Sequence, residues 1–449
     1  MLPHRPNARR TRTLAAPWAF ASSSLGAHVS GGTALGTRGA AGGGSGVVFR
    51  HARLPNGLTI IGELDAGAHT SAAGFFVRTG ARDEAPDVMG VSHFLEHMMF
   101  KGTPTRSASE INQAFDRLGA RANAYTSSES TVFYFATLAE CFAEGLDVLA
   151  DMMRPALREA DFDTERGVIL EEIAMYQDDP SWVLYERAME EHYARHGLGH
   201  RVLGTQETIG ALRIEQMREY FTRRYSADNT VLAVAGNVDW ERTLDHAARL
   251  CGSWNTTGVG RELGTTAPAG RAFETHDDKV SRAYRIMLTS GPGADDDRRY
   301  AAYMMTMLLG LPDNSRFHWA LIEPGLAEEA ECSYDPKDGV GDLRVFVVCE
   351  PDRLERVWEI VQREIAQLRD GVREDDVQRL RAKVATGATL AGERPEGRMQ
   401  RIGRVWQSLG RHTTLEEELE RINRVSVQDI RELIDQTDWT IATVGTLRP

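Results

Sequence analysis

The sequence predicts an α+β protein made of two homologous halves, and three observations carry that expectation. A helical run followed by a strand that ends at Gly recurs late in each half. Residues 214–220 precede 232–236, and residues 427–433 precede 441–445, so that Gly236 and Gly445 stand 209 positions apart. Residues 255–270 are rich in Gly and Thr with little apolar content, which reads as a linker between the halves. Between these landmarks, short runs bounded by turn residues alternate with runs at helical spacing. Each half is then about 200 residues, within the usual size of a domain.

Taken in order, residues 1–46 form a basic tail rich in Ala, Gly, Ser, Thr and Arg, expected to be disordered or to act as a targeting segment. The first half occupies 47–254. It opens with two strands around the turn signal Pro55-Asn56-Gly57, followed by a strand over 72–78. Helices are expected over 90–100, 108–118 and 142–153, with a hairpin of 122–126 and 131–137 between the last two. A long acidic helix covers 161–176, then a helix at 214–224 and a strand at 230–235 close the half. The second half, 271–449, starts the order again: a strand at 282–289, a helix at 297–309, a further helix, a hairpin, a helix at 353–368 and a long helix from Glu374. Trp406 and Met399, on the helical stretch 398–409, read as core.

Of 449 residues, 42% are hydrophobic and 26% charged, a balance that supports a sizeable buried core. No apolar run is long enough for a membrane-spanning helix. The net charge is -13, although residues 1–50 hold six Arg and no Asp or Glu, so the body is acidic and a nucleic-acid partner is not expected. Four cysteines, none in a C-x-x-C pair, are too few in so long a chain for it to rely on a disulfide framework. Four Lys against 48 Arg read as the codon bias of a GC-rich genome. A bacterial cytoplasmic location is expected, or the mitochondrial matrix or export if the tail is a signal.

Chemistry concentrates in His93-Phe94-Leu95-Glu96-His97. Val91, Phe94, Leu95, Met98 and Met99 fall at helical spacing, so His93 and His97, four apart, share a face and can bind one ion, with Glu96 beside them. A hydrolytic zinc site takes three protein ligands and keeps a place for water, whose proton a nearby carboxylate removes. The third ligand is expected from the acidic helix. Glu165 and Glu172, seven apart, share one face there, whereas Glu171 points elsewhere.

These residues sit in a wider text. Asn56-Gly57-Leu58, Thr79 to Glu84, Gly90 to Thr103, Gly119 to Ser127, Glu165 to Ile173 and Ala235 to Val238 together resemble the M16 (pitrilysin/insulinase-type) zinc metallopeptidases, over about residues 47–449. The resemblance implies two LuxS/metallohydrolase-like halves, each a mostly antiparallel sheet with helices packed on it. It implies one Zn2+ per chain held by His93, His97 and Glu172, with Glu96 as general base and Glu165 in support. It also implies that the backbone of Asn123, Ala124 and Tyr125 pairs with an extended peptide, and that two subunits close around that substrate as a clam.

The second half departs from the first. Its helix at 297–309 has no His, and the counterpart of Glu172 falls near Gly387, so no metal site is expected there. Active single-subunit members carry an Arg shortly before Gly-Leu-Ala and a Tyr after it. Here Leu321 or Ile322 and Glu328 hold those positions, and Arg316 lies too far upstream to substitute. The expectation is a homodimer, or a heterodimer with a zinc-free M16 subunit that supplies Arg and Tyr. The competing reading is a non-catalytic scaffold or core subunit of a larger complex, which would have no need of the intact His93, Glu96, His97 and Glu172 set.

Overall fold

The computed structural model describes residues 46–264, 266 and 270–449. The basic tail through residue 45, and residues 265 and 267–269 of the linker, lie outside the described residues.

In the first half the strands are β1 (Val47–Arg53), β2 (Thr59–Asp65), β3 (Thr70–Val77), β4 (Arg121–Thr126), β5 (Thr131–Leu138) and β6 (Thr230–Gly236). They form one sheet in the order β1-β2-β6-β3-β5-β4, antiparallel except for the β2–β6 pair. The helices are α1 (Val91–Met99), α2 (Ala108–Arg117), α3 (Phe142–Met152), α4 (Glu159–Gln177), α5 (Pro180–Tyr193), α6 (Gln206–Ala211), α7 (Ile214–Arg224) and α8 (Trp240–Cys251).

The second half has β7 (Ala272–His276), β8 (Ala283–Gly291), β9 (Glu329–Lys337), β10 (Val340–Cys349) and β11 (Thr443–Arg448), ordered β7-β11-β8-β10-β9 with only β7–β11 parallel. Its helices are α9 (Arg299–Gly310), α10 (Leu354–Ala366), α11 (Leu368–Gly371), α12 (Glu374–Gly392), α13 (Pro395–Leu409), α14 (Leu415–Arg424) and α15 (Val427–Gln436). The expected α+β duplication is therefore present as two mixed, mostly antiparallel sheets covered by helices. Sequence reading passed over β7, whose alternating, largely exposed residues carry little apolar signal, and over α5, α6, α8 and α14.

Strand β3 explains why each sheet needs cover on both sides. Ala73, Phe75 and Val77 point to one face and Ala72 and Phe76 to the other, and all five are fully buried. Burying one such Phe contributes roughly 1.5–3 kcal/mol. On the first face lie α1, α3, α4, α7 and α8. The second face is covered by α13, from the other half: Met399 and Ile402 pack on Ile61, Ala72, Phe76, Ala233 and Ala235. The exchange is reciprocal. α5, from the first half, lays Leu184, Ala188, Met189 and Tyr193 on Ile286, Leu288, Phe346 and Val348 of the second sheet.

The linker is fastened between the halves. Arg261, its side chain 3% exposed, donates to Asp83 at 2.7 Å and to Asp338, in the β9–β10 turn, at 2.8 Å. Arg82 pairs with Glu129, in the β4–β5 turn, and donates to the Asp338 carbonyl at 3.1 Å. The positions of closest approach are set by small residues: a Cβ at Gly403 of α13 would overlap the Phe76 ring.

Gly403→Val is therefore expected to destabilise the protein by about 1–3 kcal/mol through overpacking. Gly167→Ala on α4, where a Cβ meets nothing, is expected to gain about 0.5–1 kcal/mol from helix propensity. Urea unfolding of both variants checks the pair.

Candidate metal centre

The helix that bears both histidines is fixed before any ligand is considered. α1 starts at Gly90, whose φ of +93° is left-handed and whose missing side chain lets Leu203 and Gly204 approach. The Glu84 carboxylate accepts the backbone N–H groups of Gly90 and Ser92, each at 2.7 Å, and so covers orphan donors of the first turn. Burial pushes the Glu84 carboxyl up to about 8, against those two donors. Tyr220, on α7, shares hydrogen bonds with Ser92 Oγ at 2.7 Å and Thr79 Oγ1 at 2.8 Å. Phe94 stacks on Phe162 with ring centroids 4.6 Å apart, which joins α1 to α4.

That joint brings together the ligands expected from the sequence. One donor atom each from His93, His97 and Glu172 lies within 4.8 Å of the others, the only such group of three among the described residues. Glu172 Oε2 is 3.8 Å from His93 Nε2 and 3.5 Å from His97 Nε2. An ion bound tetrahedrally at 2.0–2.1 Å needs donors about 3.3 Å apart, so small side-chain movements suffice. His97 Nε2 is buried with no hydrogen-bond partner, a costly state for a ring nitrogen unless a ligand takes it. The donor set therefore fits a transition-metal ion such as zinc.

Around the triad the partners are specific. Glu165 Oε1 is 2.9 Å from His97 Nδ1, and its second oxygen pairs with Lys101. Burial alone would raise the Glu165 carboxyl, but His97 and the Lys101 ammonium hold it below the usual range. Of the two carboxylates that the acidic helix offered, Glu172 reaches both histidine Nε2 atoms and Glu165 only His97 Nδ1, while Glu171 is exposed. Glu96 is buried and accepts a hydrogen bond from Thr126 Oγ1 at 2.7 Å.

Asn123, Ala124 and Tyr125 lie on β4, the end strand of the first sheet. Ala124 faces α1, whereas Tyr125 donates to Gln400 Oε1 of α13 at 3.1 Å. In the second half, Leu321 is buried and Glu328 pairs with Arg282. Arg316 is committed to Glu364 at 2.8 Å.

Comparison with known proteins accords with this geometry. Residues 59–206 match the insulinase (peptidase family M16) model, and residues 211–384 match the peptidase M16 inactive domain. An uncharacterized zinc protease of Bacillus subtilis is 31% identical over 402 residues, covering 87% of this chain and 96% of the relative. The chain belongs to peptidase family M16. A second M16 relative, an uncharacterized zinc protease of Mycobacterium tuberculosis, is 32% identical over 396 residues, covering 85% of this chain and 89% of its own. In fold, the M16 chain is similar to a protease from Helicobacter pylori, with a TM-score of 0.83 at 18% identity over 90% of this chain and all of the other.

Sequence reasoning missed Glu84, Tyr220 and Thr126 as parts of the site. Thr126 carries a signal in retrospect: it is two positions from Ala124 on a strand, and so shares its face toward α1.

Removing the cap with Glu84→Ala is expected to cost about 1–3 kcal/mol. The native pKa lies above the unfolded one, so the stability that Glu84 contributes is full below about 4.3 and declines as pH rises to about 8. Denaturation curves should accordingly show a larger cost at pH 5 than at pH 8.

Proposed function

We propose that the chain is a zinc-dependent endopeptidase that cleaves extended, unfolded peptides, and that it is the zinc-bearing subunit of a dimer. The observation that carries this reading is the convergence of His93, His97 and Glu172 beside the buried carboxylate of Glu96. Two imidazoles and one carboxylate are the ligand set of hydrolytic sites that keep a position open. Zinc, when bound, acidifies water and polarises a peptide carbonyl.

The chain's own residues do the rest. Glu96 takes the proton of the attacking water and returns it to the leaving amine nitrogen, a role worth about 10²- to 10⁴-fold. Glu165 holds His97 through Nδ1 and so keeps its Nε2 turned to Glu172. The outer edge of β4, at Asn123, Ala124 and Tyr125, offers backbone N–H and C=O groups to a peptide added as a further strand, which recognises extension more than sequence. The dimer follows from the second half. Leu321 or Ile322, and Glu328, hold the positions to which the family resemblance assigns the Arg and Tyr that steady the substrate carbonyl, and Arg316 is tied to Glu364. A zinc-free sister subunit would supply both groups.

Metal analysis is expected to give one zinc per chain, lost in His97→Ala. Glu96→Gln should keep the zinc and lower kcat on an unstructured peptide by about 10²- to 10⁴-fold. Equal turnover by Glu96→Gln and the wild type would overturn the mechanism. Full turnover by the purified chain as a monomer would overturn the dimer.

A further inference from the structure

Glu96 is the side chain on which the proposed hydrolysis turns, yet a helix fixes a glutamate poorly. It restricts the first torsion, while the terminal torsion is broad and roughly two-fold, so the carboxylate plane swings unless something outside the helix holds it. β4 supplies a hold. Thr126 Oγ1 donates to Glu96 Oε2 at 2.7 Å, and the two residues are 3% and 4% exposed. The branched Cβ of threonine restricts its rotamers, so the direction of that hydroxyl follows the strand. We infer that Thr126 is a positioning residue for Glu96, its hydroxyl setting the rotation of the carboxylate that faces the scissile bond. The inference rests on the peptidase reading above.

The strand that carries Thr126 is clamped from its far face by the metal-free half. Tyr125, its neighbour, points the other way and donates to Gln400 Oε1 at 3.1 Å. Ser130 Oγ, in the β4–β5 turn, donates to Gln407 Oε1 at 2.8 Å. Glu129, in the same turn, pairs with Arg82 and accepts the backbone N–H of Asp338 at 3.1 Å. An edge strand left open for a peptide on its outer side is thus held on both faces. A shift of Thr126 away from Glu96 would have to break bonds to α13 and to the β9–β10 turn.

The test compares Thr126→Val, nearly isosteric but without a donor, with Thr126→Ser, which keeps one. In the zinc-loaded enzyme the Val variant is expected to lower kcat by about 10- to 100-fold, with KM within about twofold and one zinc per chain retained. Ser is expected to restore most of the loss. In the metal-free protein, Val is expected to lower the urea midpoint, and that drop should vanish in a Glu96→Ala background. Wild-type kcat in the Val variant, or an equal midpoint drop with and without Glu96, would overturn the inference. Glu96→Gln is assayed alongside: if it cleaves as fast as the wild type, the peptidase reading fails, and in that case, or where the chain without its partner subunit cleaves nothing, the midpoint comparison alone decides the contact. If the Val variant does not fold, Thr126→Ala takes its place in the same comparison.

Discussion

The seating of α1 against α4 is the constraint on which the rest depends. His93 and His97 come from one helix and Glu172 from another, and a metal tolerates errors of only a few tenths of an ångström in its donors. The Phe94–Phe162 stack sets the spacing of the two helices. The Glu84 cap and the Tyr220 hydrogen bonds set the rotation and axial position of α1. None of these contacts touches a donor atom of His93, His97 or Glu172. They make the site a property of the packed core, so that side chains only a helical turn apart can be polar in a region otherwise closed to water.

The second half keeps the architecture of the first without its donors. Its value to the site is mechanical. α13 covers a face of the first sheet that would otherwise leave Ala72, Phe76 and Ala235 in water, and it reaches the strand that faces Glu96 through the Tyr125–Gln400 hydrogen bond. α5 returns the cover to the second sheet. Each sheet is therefore completed only by the other half, and this cover needs no histidine on α9.

Much of this was legible in the sequence. The i, i+4 histidines and the seven-residue spacing of Glu165 and Glu172 follow from local periodicity, which a single chain displays; the helix–strand repeat is present as α7–β6 and α15–β11, although β11 begins at Thr443 and runs past Gly445, where the sequence placed its end, to Arg448. Helix boundaries such as those of α1, α2 and α7 emerged within a residue or two for the same reason. Periodicity alone did not separate Glu165 from Glu172, which share one face of α4; the family resemblance implied Glu172, and the crossing with α1 brings Glu172 to both Nε2 atoms. The destinations of α5 and α13 were not legible either. An amphipathic stripe states that a helix must be covered, and is silent on which sheet covers it. Thr126 was hidden because its partner Glu96 stands on another element, and Glu84 because the loop that turns it back onto the start of α1 has no periodicity to read.

The joint at Arg261 bears on movement. A linker of Gly and Thr suggests a supple connection, yet here its arginine is sunk among Asp83, Asp338 and Glu129, with carboxylates drawn from both halves. Separating such charges within a dry interior costs far more than separating them at the surface, and added salt screens them little. The connection therefore acts as a splint. Parting the two sheets at this seam has to break those ion pairs, so the linker resists their separation where its composition suggests slack.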